Sequence, residues 1–382
     1  MKLIPFRMER WQSTYEHRVG YNLSESGVHP LTVDELLALA GVDGDLPGQV
    51  RLGYGQSNGS DELRARIAAL HPGATDADVL VTTGGAEANF ACCWHLMEPG
   101  GAAAVMLPNY MQVPGLLENF DVRPLPFHLR EEHAWAPDLD ELEDALEDGA
   151  RFILVTNPNN PTGRVLSPGA MDRIAELADA HGAWILADEV YRGAEVEGPE
   201  TPSFWGRSER VLVTNSLSKA YGLPGLRLGW IVGPADVVAG LWGRTDYTTI
   251  APSTVSDRLA TVALEPDTRA RILARTRRII HGNLAALRGW LDARPDLFSY
   301  HPPDAGAICH IRYRADVNSS AFAEKLRVAK DVLVVPGDHF GMDGTLRIGF
   351  GPPREELMEA LERIAEAFAE AGAGTRGALA GD

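Results

Sequence analysis

The sequence predicts an α/β fold, a largely parallel sheet between helices, joined to a second, smaller α+β domain. Three observations carry this reading. Between residues 79 and 232, short apolar runs alternate with helical stretches. Several of those runs are apolar without a break, as strands covered on both faces are. Beyond about residue 254 the alternation stops, and a long helical region leads to shorter strands and a last amphipathic helix. A chain of 382 residues has room for about two domains and a large core.

In chain order, residues 1–30 mix aromatics (Phe6, Trp11, Tyr15, Tyr21) with charges and read as an arm that packs on something else. Thr32 and Glu35 have the spacing of a capping box, and Gly41 suits the end of the helix they open. The glycine-rich stretch 41–59 is a loop, and DELRARIAAL after it has helical periodicity. Strands are expected at 79–82, 102–107, 151–156, 183–187, 211–215 and 228–232. Helices fit at 85–97, 138–147 and 168–181, the last opened by Ser167 with Pro168 in its first turn. A helical region at 254–292 precedes strands near 306–312, 332–335 and 345–350 and a helix at 353–371. The Gly/Ala-rich tail from 372 reads as frayed. The expected division is an arm and part of the small domain at 1–47, a large domain at 48–250, and an interdomain helix with the small domain at 251–382.

Composition excludes several classes of function. A formal charge of −18 argues against nucleic acid or an anionic membrane as partner, so any anion site must be local. Cys92, Cys93 and Cys309 are too few and too badly spaced for a disulfide framework or a zinc site, and fit a reducing compartment. No metal is expected. The first residues, MKLIPFRMERWQ, lack a signal-peptide core, and no run reaches membrane-spanning length. A cytoplasmic protein is expected.

Lysine is scarce: Lys2, Lys219, Lys325 and Lys330 are the only ones among 35 basic residues. Lys219 lies in TNSLSKAYGLPGLRLGW, flanked by Ser216 and Ser218, with Arg227 eight residues on. A solvated loop lysine is the plain alternative, but this setting suits an amine used as a nucleophile near a phosphorylated group. In open α/β sheets, ligands bind beyond the carboxyl ends of the strands. There the chain places TGGAEAN, NPNNPTG, DEVYRG and SLSKAYG.

In that order, with RIGF near the end, these segments resemble the class I/II aminotransferases, pyridoxal-phosphate enzymes of fold type I, over roughly residues 20–370. The resemblance implies a seven-stranded, mostly parallel sheet in a cofactor-binding large domain, with pyridoxal 5′-phosphate as cofactor. It implies that Lys219 forms the Schiff base and then serves as proton carrier. Asp188 would pair with the pyridine nitrogen, and Asn160 and Tyr191 would bond the 3-hydroxyl. The amides of Gly85 and Ala86 at a helix start, with Ser216, Ser218 and Arg227, would hold the phosphate. Tyr54 would reach the same phosphate from a neighbouring subunit, implying a homodimer with shared sites. Tyr110 would stack on the ring. Arg347 would grip the substrate α-carboxylate, next to Asn160 and Ser26. Read without the resemblance, Tyr54 is a turn aromatic, Tyr110 a core aromatic and Asp188 a helix cap.

LSESGVHPLT replaces the Gly-Glu-Pro-Asp-like turn that many relatives carry, so Glu25, Ser26 and His29 are candidates for specificity. Trp242, Arg244, Asp246 and Thr249 lie in a segment that approaches the pocket or the partner's phosphate in relatives. Transamination of an L-α-amino acid is the expected reaction. A β-lyase or decarboxylating oxidative deaminase of an amino acid or cysteine S-conjugate, in antibiotic biosynthesis, is the alternative, because the pocket decides the outcome. Similar chains include capreomycidine synthases and lincosamide-pathway enzymes that process S-conjugated cysteines. A ligand-sensing regulator is disfavoured, since residues 1–50 lack the length and basic charge of a DNA-binding domain.

Overall fold

The structure, a computed structural model, describes residues 3–43 and 46–378; Lys2 and residues 379–382 of the tail lie outside them. Helix α1 (Arg7–Tyr15) leads to a two-residue strand β1 (Tyr21–Asn22). Helix α2 (Val33–Ala40) opens on the capping box: Thr32 Oγ1 accepts from the Glu35 amide at 3.1 Å, and the Glu35 carboxylate accepts from the Thr32 amide at 2.7 Å. It closes on Gly41, whose φ of +65° only glycine adopts freely. Helix α3 (Asp61–Ala68) is capped by Ser60.

The large sheet contains β2 (Val79–Thr82), β3 (Ala102–Leu107), β4 (Arg123–Arg130), β5 (Ala136–Pro137), β6 (Phe152–Thr156), β7 (Trp184–Asp188), β8 (Val211–Ser216) and β9 (Gly229–Val232). Their order is β2-β9-β8-β7-β6-β3-β4-β5. Pairs among β3, β4, β6, β7 and β8 are parallel, while β9 runs against both β8 and β2. All the long strands except β9 therefore end at one edge. The sheet departs from the expected seven strands by the two-residue β5, antiparallel to β4 at the margin. Strand β4 was not anticipated, because Pro124 and Pro126 break its pattern.

Helices α4 (Gly85–Leu96), α5 (Gln112–Asn119), α6 (Leu139–Glu147), α7 (Pro168–His181) and α8 (Ala235–Thr245) cover the sheet. Its strands alternate strictly between two cores. Leu80, Val105, Leu154, Leu186, Leu212 and Ile231 pack with Cys92 and Cys93 on one side. Val81, Ala104, Ile153, Ile185, Val213 and Trp230 pack on the other. Both faces bury apolar side chains, so the uninterrupted apolar runs have a physical cause.

The helical region after residue 254 is two helices, α9 (Thr254–Ala263) and α10 (Pro266–Asp292), because Pro266 can begin a helix but not continue one. Strands β10 (Phe298–Tyr300) and β11 (Ile308–Tyr313), helix α11 (Ser319–Lys330), strands β12 (Val332–Leu333), β13 (Val335–Pro336) and β14 (Thr345–Gly349), and helix α12 (Arg354–Ala378) follow. Helix α12 continues through much of the tail expected to fray. The small antiparallel sheet is ordered β10-β11-β14-β13, with β1 pairing β12 beside it. The arm packs on its own chain: Trp11 Nε1 donates to the Val334 carbonyl at 2.9 Å, and Met8 is buried with Val335 and Phe340. Among the described residues, no helix is long and apolar enough to cross a membrane.

Candidate active site

The strand ends of the large sheet, helix α1 and strand β14 enclose a cavity of about 530 Å³. Lys219, Asp188, Tyr191, Gly85, Ala86, Tyr110, Asn160, Ser216, Ser218, Arg227, Ser26 and Arg347 all line it. Residues as far apart as Ser26 and Arg347 converge there because the sheet brings its strand ends to one edge and β14 faces that edge.

One end is built to receive an anion. Gly85 begins α4, where unpaired amides and the helix dipole favour negative charge. Arg227 presses against the preceding backbone, so that a Cβ on Gly84 would sit 2.6 Å from its Nη2. The Ser216 Oγ accepts from the Ser218 amide at 3.2 Å, and Arg227 Nη1 lies 3.5 Å from Ser218 Oγ. Among the described residues no carboxylate pairs with Arg227. A cluster of donors with one unneutralised guanidinium matches a phosphate group.

The other end holds a buried carboxylate. Asp188, 5% exposed, closes β7 and accepts from Asn89 Nδ2 at 3.0 Å and from the Val190 amide at 3.2 Å. Asn89 is fixed in turn by the Thr214 hydroxyl at 2.8 Å. Burial pushes the Asp188 carboxyl above the ordinary carboxylate range, against the lowering effect of those hydrogen bonds. No cation among the described residues is within ion-pair distance, so a protonated nitrogen in the cavity would complete the pair.

Arg347 forms the third point. It is 1% exposed, donates from Nη1 to Asn160 Oδ1 at 3.0 Å and from Nη2 to the Ser24 carbonyl, and its Nε has no partner. Burial pulls its pKa down, and no carboxylate among the described residues pairs with it directly. A buried guanidinium with a free donor is a receptor for a planar carboxylate. Lys219 Nζ lies 3.9 Å from Glu25 Oε2, and this ammonium holds the Glu25 carboxyl below its usual value. Tyr110, packed edge-on against Phe6 at 5.0 Å, reaches Glu9 Oε2 at 3.4 Å.

Some residues named from the sequence lie elsewhere. His29 bonds through Nδ1 to the Gly351 carbonyl at 3.0 Å and does not line the cavity, so it braces the loop rather than facing substrate. Trp242 donates to Ser57 Oγ at 2.9 Å, Arg244 lies over Trp94 at 5.8 Å, and Thr249 bonds Glu87 at 2.8 Å. With the exposed Asp246 they are outside the cavity of their own chain. Tyr54 is 92% exposed and also outside it. Residues missed from the sequence include Asn89 and the cavity-facing Glu9, Gln12 and Glu16 of the arm. The polar Asn89 within TGGAEAN was the available signal for the first; nothing local marks the arm as a cavity wall.

The sequence pattern of the family described as aminotransferase class I and II matches residues 33–364. Capreomycidine synthase of Streptomyces vinaceus is 34% identical over 94% of this chain and 92% of its own. An arginine–pyruvate transaminase of Pseudomonas aeruginosa is 29% identical over 87% of this chain and 86% of its own. The crystal structure of a PLP-dependent aminotransferase from Streptococcus suis superposes with a TM-score of 0.91 at 31% identity, over 97% of this chain and 99% of that one. The phosphate-like end, the buried carboxylate and the amine between loops fit pyridoxal 5′-phosphate, the cofactor of these enzymes. The chain belongs to the class I and II aminotransferases, and it is a pyridoxal-phosphate-dependent enzyme.

Proposed function

We propose that the protein transfers the amino group of an L-α-amino acid, with Lys219 as the residue that carries the chemistry. The supporting observation is that one cavity holds a lone amine together with a buried, unpaired carboxylate and a buried guanidinium lacking an anionic partner. Bound there, pyridoxal phosphate supplies an electron-accepting ring that carries the amino group. The Gly85 and Ala86 amides, Ser216, Ser218 and Arg227 hold the phosphate. Asp188 keeps a proton on the ring nitrogen, and Asn89 positions Asp188. Asn160 and Tyr191 would bond the ring hydroxyl, and Tyr110 would pack against the ring. Arg347, with Asn160 and Ser26 beside it, holds the substrate carboxylate. That leaves the α-carbon near the Lys219 amine, which moves its proton. Incubation of the holoenzyme with amino donors and 2-oxoglutarate or pyruvate is expected to yield glutamate or alanine; neither from any donor overturns transamination.

A second reading keeps the cofactor and changes the outcome to elimination, decarboxylation or ring closure. It is favoured by similarity to capreomycidine synthase along 94% of the chain. The same incubation, followed by mass spectrometry of the amino-acid product, separates the two readings.

We further propose a homodimer with shared sites. Leu52, Tyr54, Tyr247 and Ile250 are exposed at 87, 92, 82 and 51%, on the loop before α3 and the loop after α8, and the Trp242–Ser57 bond ties α8 to the first of these. So much exposed apolar surface on adjoining loops suits a subunit contact. Tyr54 would then reach the partner's phosphate cup. Mixed and reassociated Tyr54→Ala and Lys219→Ala chains are expected to recover about a quarter of wild-type activity, since half the dimers carry one intact site. Recovery absent in a mixture that forms heterodimers contradicts the sharing.

A further inference from the structure

The charges lining the cavity do not balance once each has its proposed partner. Arg227 serves the phosphate, Asp188 the ring nitrogen, Arg347 the substrate carboxylate, and Lys219 the cofactor. Three glutamates remain on the cavity wall: Glu9 and Glu16 from the arm, and Glu25 from the loop after β1. Their existing partners are weak. Glu9 accepts from Ser13 Oγ at 3.0 Å and Tyr110 Oη at 3.4 Å, and among the described residues it has no ion pair. The neighbour of Glu16 across an ion-pair distance is His17 at 3.6 Å, a side chain 90% exposed. Glu25 faces Lys219 at 3.9 Å, the amine that the cofactor engages.

Glu16 and Glu25 both line the cavity, close enough for each to influence the other's charge. Burial first, and repulsion from Glu25 second, raise the Glu16 carboxyl. Lys219, and Arg347 to a lesser degree, hold the Glu25 carboxyl down; once the cofactor engages that amine the neighbouring carboxylates repel, and a bound cation relieves the cost. Arg347, which lines the same cavity and has no carboxylate in ion-pair distance among the described residues, offers a partner for the ligand's anionic end. Adjacent carboxylates also present the paired acceptors that a planar guanidinium can bridge.

We propose that the amino acid bound here carries a second cation on its side chain, a guanidinium or an amine, received by Glu9, Glu16 and Glu25. The proposal rests on the amino-acid reading above. L-arginine and L-citrulline share length and shape but differ in side-chain charge, and so do L-lysine and L-norleucine approximately. Holoenzyme titrated with each, followed by the visible band of the cofactor, is expected to bind arginine about tenfold or more tightly than citrulline, as a charge-assisted contact commands. Lysine is expected to exceed norleucine in the same sense. Glu16→Gln and Glu25→Gln are expected to narrow the arginine-to-citrulline ratio.

Equal or tighter binding of citrulline by the wild-type protein overturns the proposal, as does an equal loss for both ligands in the two variants. If those variants do not fold, the wild-type ratio decides alone. A band perturbed by citrulline and norleucine as strongly as by arginine removes only the cation. A band perturbed by no amino acid removes the amino-acid reading as well.

Discussion

Lys219→Ala is expected to lower the rate of the first half-reaction by about 10³-fold or more, because a positioned proton carrier alone typically contributes 10²–10⁴-fold. The side chain lines the cavity, and among the described residues no other lysine does. Lys330 is engaged by Glu366 at 3.0 Å and Glu370 at 2.7 Å, outside the cavity. The fold has little reason to suffer. Lys219 is partly exposed, and its nearest carboxylate, Glu25, is partly solvated too, so their pair contributes little to stability. Rapid mixing of the substituted holoenzyme with an amino donor measures the effect. A rate within tenfold of wild type contradicts the assignment.

Asp188→Asn is expected to cost on the order of 10²–10³-fold in turnover, comparable to removing one preorganised electrostatic contact from a buried site. The substitution keeps the shape of the side chain and removes its charge. Asn89 and the Val190 amide, both donors to Asp188, then meet an amide that accepts from only one of them. A local loss of about 1–3 kcal/mol in stability accompanies the catalytic one. The two are separable: turnover is measured with cofactor saturating, and folding by thermal unfolding of the same sample. Unchanged turnover in a folded, saturated protein overturns the role given to Asp188.

The site residues that the sequence made legible follow strand ends, where the α/β arrangement concentrates ligand contacts. Asp188 ends β7, Ser216 ends β8 and Asn160 follows β6, each inside a polar segment after an apolar run. Asn89 carried a signal, its polarity within TGGAEAN, that did not disclose its role. It sits on a helix, and its partner Asp188 is 99 residues away, so only the packed structure connects them. Glu9 and Glu16 belong to an arm whose partner seemed to be another surface. The docking of Trp11 on the Val334 carbonyl and of Met8 against Val335 and Phe340 turns that arm into a cavity wall. Strand β4 escaped because its prolines, tolerated where a strand lacks a full neighbour, imitate a turn. The break at Pro266 was a visible signal within an otherwise periodic helical stretch.

Every role proposed for the cavity depends on which amine engages the cofactor. Borohydride treatment of the holoenzyme, followed by proteolysis and mass spectrometry, fixes the cofactor where it is attached. The account predicts a single modified peptide containing Lys219. Modification of Lys2, Lys325 or Lys330 in its place, or of no lysine, contradicts it.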